Sequence, residues 1–121
     1  MISLHAFLVR KPGISHEDFV AYWRDHHGPF IRGTPELARH LLRYEQHPRI
    51  PGSRGGDTDY DGVAIQSFAS WDDFAAMLTG EAGEAMRADE ANFLDSERLT
   101  VLFTEEPNIV VPLRPAREAG G

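Results

Sequence analysis

Two adjacent histidines, His26 and His27, follow the aromatic pair Tyr22-Trp23 and stand directly ahead of Gly28-Pro29-Phe30. Imidazole is the side chain whose ordinary pKa lies closest to neutrality, so the chemistry this stretch can support is proton transfer in an aromatic setting. Composition closes other routes. The chain has no cysteine, which removes thiolate nucleophiles, disulfides and Cys-based zinc or iron–sulfur sites. No serine sits in a nucleophile elbow. Neighbours on a helix diverge by about 100°, so His26 and His27 do not share one metal ion, and no metal site is expected.

Positioning these groups is the work of a helix. Ser15 is placed to cap it, with His16, Glu17 and Asp18 in a first turn where negative charge suits the exposed amides. Phe19, Trp23 and Phe30 then fall within roughly 40° of one another and form an aromatic face. His27 lies about 40° from the centre of that face and His26 about 60° off it on the other side, close to Tyr22. His27 is the better candidate for a pocket. The alternative is that both histidines satisfy the helix C-terminus, where Gly28 would supply a left-handed turn.

Further candidates lie outside that helix. His5 interrupts an otherwise apolar run, and shares a pocket with His27 if its strand face looks toward the helices; otherwise it is a bonded core histidine. Tyr22 and Tyr44 can polarise a carbonyl or stabilise an enolate, or serve as core aromatics with bonded hydroxyls. Trp23, Phe30 and Phe68 would be walls for a flat hydrophobic substrate, with His26 at its margin.

With 121 residues, 41% of them hydrophobic, the chain makes one domain. Lysine plus arginine is 12 and aspartate plus glutamate 19, so the net charge of −7 has the wrong sign for nucleic acid or an anionic membrane. The apolar run at residues 2–9 is too short to span a bilayer and has no basic leader, so a cytoplasmic location is expected.

In chain order, residues 2–9 alternate as a strand with both faces largely apolar, which calls for a sheet covered on both sides. The first helix follows and closes at Gly28-Pro29. Thr34-Pro35 starts a short helical turn to about residue 40, and residues 41–47 form a second strand. Residues 48–61, rich in proline, glycine and aspartate, form a long loop. Its Gly52-Ser53-Arg54-Gly55-Gly56 segment lacks the ending of a phosphate loop and reads as a linker. Residues 62–69 give a third strand. Ser70 caps a helix with Trp71, Phe74, Ala75 and Leu78 as its stripe, Thr79-Gly80 interrupts it, and a further helix over 81–94 turns Ala82, Ala85, Met86 and Phe93 inward. Residues 99–104 are the fourth strand and 108–111 a short extra one; 112–121 should be a disordered tail beyond a domain of residues 1–111. The order β-α-β-β-α-β is the ferredoxin-like arrangement, an α+β fold with a four-stranded antiparallel sheet and helices on one face.

Lys11-Pro12-Gly13-Ile14-Ser15, followed by Phe19, Tyr22-Trp23 and His27-Gly28-Pro29, resembles the EthD family of dimeric α+β barrel proteins, and Tyr60-Asp61-Gly62-Val63-Ala64 with Phe68 and Phe74 fits the same pattern. The resemblance implies a homodimer whose two sheets pack face to face, which would account for the doubly apolar first strand. The family and its structural relatives include accessory factors in ether degradation, dehydratases and cyclases of aromatic polyketides, muconolactone-type isomerases and cofactor-free monooxygenases. The motif histidine maps onto His27, and His26 is not carried over. Haem-binding relatives share the fold, but no second feature here points to haem, and no cofactor is expected. Two readings follow. One is a cofactor-independent lyase or isomerase that removes a proton next to a carbonyl of an aromatic or polyketide-like substrate. The other is a non-catalytic binding or accessory protein using the same pocket.

Overall fold

The structure is a computed structural model and describes residues 1–52 and 59–117. The centre of the long loop, including Ser53-Arg54-Gly55-Gly56, and residues 118–121 of the expected tail lie outside the described residues. Four strands, β1 (Ile2–Leu8), β2 (Arg43–Pro48), β3 (Gly62–Phe68) and β4 (Thr100–Thr104), form one antiparallel sheet in the order β2-β3-β1-β4. That is the ferredoxin-like order anticipated above. Between them run the helices α1 (His16–Tyr22), α2 (Gly28–Arg32), α3 (Pro35–Ala38), α4 (Trp71–Met77) and α5 (Gly80–Glu90).

Strand register decides what each face carries. Leu4 pairs with Gln66, Ala6 with Ala64 and Leu8 with Gly62, so these residues share one face. The helices cover that face, and its core joins Ala6, Leu8 and Ala64 to Phe19, Trp23, Phe93 and Leu94. A second cluster gathers Ile31, Leu37, Phe68, Met77 and Met86. Ser3, His5 and Phe7 point the other way, with Val63, Ile65 and Ser67 beside them. No helix of the described chain packs there, and Leu102, opposite His5, is 56% exposed.

Local chemistry explains the element ends. The Ser15 and Ser70 side chains accept from the amides of Asp18 and Asp73, so both predicted caps are in place. Gly80, at φ +74°, supplies the left-handed turn that separates α4 from α5. Gly62 is required by packing: a Cβ there would lie 2.7 Å from the Trp23 ring and 2.8 Å from the His47 carbonyl. Beside it, Asp61 is fully buried and ties three segments together, accepting from the Arg10 amide at 2.8 Å, the Arg10 guanidinium at 2.8 Å and His16 Nδ1 at 2.8 Å. Burial would push its carboxyl up, yet the bonds from His16 and Arg10 outweigh this and hold it below the ordinary value.

Four expectations fail. Ala85, expected to turn inward, is exposed on α5. The first helix does not close at Gly28-Pro29: Gly28 is right-handed (φ −57°, ψ −54°) and the chain passes through a π-helical turn, Trp23–His27, into α2. Pro29 has no N–H to give, and the wide turn before it, in which the Gly28 amide bonds the Trp23 carbonyl, accommodates that loss. The stripe on α4 is Phe74 and Met77; Ala75 is exposed, and Trp71 and Leu78 are 55% and 38% exposed. Residues 108–111 form no strand, and Ile109 and Val110 are 66% and 83% exposed; Pro107 and Pro112 bracket the segment, each without a backbone donor for a ladder.

Candidate active site

The π-helical turn places the chemistry. His27 is 5% exposed, and its ring packs against Phe93 with centroids 4.9 Å apart. Its Nδ1 lies 2.6 Å from Oδ2 of Asp89, on α5. The other carboxylate oxygen accepts the Tyr22 hydroxyl at 2.5 Å, and Asn92 Nδ2 donates to that hydroxyl at 3.1 Å. Asp89 is itself only 9% exposed. Although burial pushes its carboxyl up, the bonds from Tyr22 and His27 hold it below the ordinary value, so it is a carboxylate. A carboxylate only accepts, so Nδ1 carries the proton and Nε2 keeps its lone pair.

Nε2 has somewhere to act. Between the sheet and the helices lies a cavity of about 180 Å³ lined by His27, Trp23, Tyr44, Phe74, Phe93 and the strand residues Leu4 and Ala6 among others. Burial pushes the His27 pKa down, and the attraction of Asp89 only partly restores it, so the ring is neutral at neutral pH. Tyr44 adds a hydroxyl. Gln46 Nε2 donates to it at 3.1 Å, which leaves the phenolic hydrogen free to point elsewhere. Burial pushes that phenol up, so it keeps its proton. Gln66 and Glu90 also line the cavity, and neither side chain has a hydrogen-bond partner among the described residues. The arrangement is a neutral base backed by a carboxylate, with hydrogen-bond donors on a mostly apolar wall.

His27, Trp23 and Tyr44 meet in the cavity. His5 does not share it: strand alternation turns it to the uncovered face, where its Nε2 lies 3.0 Å from Thr104 Oγ1. Tyr22 stands behind the dyad with its hydrogen committed to Asp89. His26 has a 62% exposed side chain, stacks on Tyr22 at 4.5 Å, and has Nδ1 3.4 Å from Asp89. Phe68 is fully buried in the second cluster and does not line the cavity; its ring lies 5.4 Å from that of Phe74, which does. Phe30 packs on that cluster, its ring 6.4 Å from His27. Asp89 and Glu90 were missed. A signal existed for Asp89, which falls three after Met86 and four before Phe93 on the stripe that turns inward. Among the described residues there is no group of three or more His, Asp or Glu placed to hold a metal ion.

The EthD domain profile matches residues 11–97. No curated protein sequence matches the chain. Solved structures share its fold. An EthD family protein from Bacillus halodurans is 21% identical with a TM-score of 0.66, over 88% of this chain and 99% of that one. A dimeric protein of ferredoxin-like fold from Bacteroides fragilis is 13% identical with a TM-score of 0.63, over 87% and 95%. HapK from Hahella chejuensis is 10% identical with a TM-score of 0.66, over 96% and 100%.

Proposed function

The chain belongs to the EthD family, and we propose that it is a cofactor-independent lyase or isomerase in which His27 is a general base acting next to a carbonyl group. The observation that carries this reading is the 2.6 Å bond from His27 Nδ1 to a buried Asp89, which leaves the lone pair of Nε2 unclaimed on a residue that lines the cavity. His27 takes a proton from the carbon beside the carbonyl; the C–H electron pair becomes a C=C bond and the carbonyl oxygen gains charge, which the Tyr44 hydroxyl stabilises. Asp89 stays ionised and stabilises the imidazolium. From the enolate, the imidazolium can return its proton to a departing β-hydroxyl, which leaves as water, or to a vinylogous carbon, which shifts the double bond; attack of the enolate carbon on a second carbonyl closes a ring. No external oxidant or reductant enters.

Cavity size narrows the substrate. An apolar cavity of about 150 Å³ holds one benzene ring, so about 180 Å³ accepts a single ring with a small carbonyl substituent, or the reacting end of a longer aromatic or polyketide-like molecule. The same reading makes residues 1–111 the working domain and pairs two copies through the uncovered sheet face, as a homodimer. The deciding experiment is turnover by His27→Gln once a substrate is found. A loss of about 10² to 10⁴ in kcat with ligand affinity kept supports the base. A fully active variant overturns it and leaves a binding or accessory protein.

A further inference from the structure

Asp89 and Glu90 are consecutive on α5, so their side chains leave the helix about 100° apart. Asp89 reaches the Nδ1 side of His27, whereas Glu90 lines the cavity that His27, Tyr44 and Gln66 also face. Glu90 is half-buried, and its side chain has no hydrogen bond or ion pair among the described residues. Its carboxyl oxygens are not sealed from solvent, so a ligand entering the cavity can displace water and take up the carboxyl directly.

We propose that Glu90 is the acid of this site: its carboxyl donates a proton to the substrate's carbonyl oxygen as His27 removes the proton from the adjacent carbon. The inference rests on the general-base reading of His27. The step balances. The C–H pair forms the C=C bond, the C=O π pair takes the Glu90 proton to give a neutral enol, and His27 becomes imidazolium while Glu90 becomes carboxylate. When imidazolium returns its proton to carbon, at the original or a vinylogous position, the enol O–H pair re-forms the carbonyl and Glu90 recovers its proton. The charged and titratable groups that act on Glu90 are Arg87 and Asp89 on its own helix; Tyr44 from β2 feels its charge, and His27 from the π-helical turn lines the same cavity. Burial and the Asp89 charge push its carboxyl up, against the pull of Arg87. Burial raises the Tyr44 phenol, and negative charge at Glu90 adds to that, while both residues line the one cavity.

Acetophenone is a suitable probe: one ring, one carbonyl, and methyl protons whose exchange with D₂O reads proton abstraction directly by NMR. Wild-type protein should accelerate exchange, His27→Gln should abolish the acceleration, and Glu90→Gln, which keeps shape and hydrogen bonding but cannot give up a proton, should lower it about 10²-fold or more. In parallel, protein carrying ¹³C-labelled glutamate should show one side-chain carboxyl still protonated at pH 7 whose signal vanishes in Glu90→Gln. Unchanged exchange in a folded Glu90→Gln protein, or a Glu90 carboxyl ionised at pH 7, overturns the inference while leaving His27 as base. Exchange that is lost in neither variant, or absent from wild type, removes both.

Discussion

At the scale of single residues, the site depends on which neighbours His27 and Asp89 have. His26→Gln should cost far less rate than His27→Gln, because the His26 ring lies outside the cavity on Tyr22. Asp89→Asn removes the charge that partly restores the His27 pKa and no longer enforces the Nδ1–H tautomer. The plateau of kcat/KM should fall about 10- to 100-fold, and its acid limb should move to lower pH. The pH dependence of stability has a definite sign. The folded-state pKa of His27 is depressed, so the stability linked to it is present above the unfolded value near 6.5 and is lost as pH falls below it. Asp89 and Asp61 are depressed too, and their share goes below about pH 4. Melting temperature followed by circular dichroism should therefore fall in two steps on acidification. Asp61→Asn should cost about 3 kcal/mol, since it leaves Arg10 and His16 without their buried partner. His27 was legible in the sequence because Trp23 and Phe19 announce the inward face four and eight residues earlier. Asp89 was not read, because a carboxylate amid Arg87, Ala88 and Glu90 looks like a solvated helix face until its partner 62 residues away is known.

At the scale of elements, the π-helical turn aims the site. It carries one residue more than a regular turn and brings both Trp23 and His27 inward, at 1% and 5% exposure. Deleting Asp25 should restore regular spacing and swing His27 off the Trp23 line. Far-UV circular dichroism should keep the helical signal while proton-transfer activity disappears; an active deletion variant would show that the wide turn is dispensable. Gly62→Ala should destabilise by about 1–3 kcal/mol in urea titration, since its methyl must displace the indole of Trp23 or the His47 carbonyl. Strand and helix order were readable from period and punctuation, as with Ser70, Thr79-Gly80 and the alternation of β1. The wide turn was not, because Pro29 after a glycine signals a stop in local terms, and only packing of α2 onto Leu37 and Met86 carries the helix onward.

At the scale of the molecule, the sheet has one dressed face and one bare one. His5, Phe7, Val63, Ile65 and Leu102 present an apolar surface that a second copy would cover. Light scattering should give about twice 13.5 kDa and hold that value at micromolar concentration. Leu102→Asp should halve the mass, and a wild-type monomer would remove the paired-sheet arrangement. The doubly apolar β1 was the sequence signal for it, since one chain has no helices left for that face. Removing residues 114–121 should leave the melting temperature within about two degrees, as residues up to 117 are exposed where described.

The cavity and the bare face lie on opposite sides of the same sheet. Two copies joined bare face to bare face would therefore hold their cavities at the two outer layers, separated by two sheets spaced about 10 Å apart. Each cavity is walled by residues of its own chain, so occupancy of one leaves the walls of the other unchanged. Titration calorimetry with a ligand should accordingly show two equal sites per dimer, a hyperbolic isotherm and a Hill coefficient of about 1.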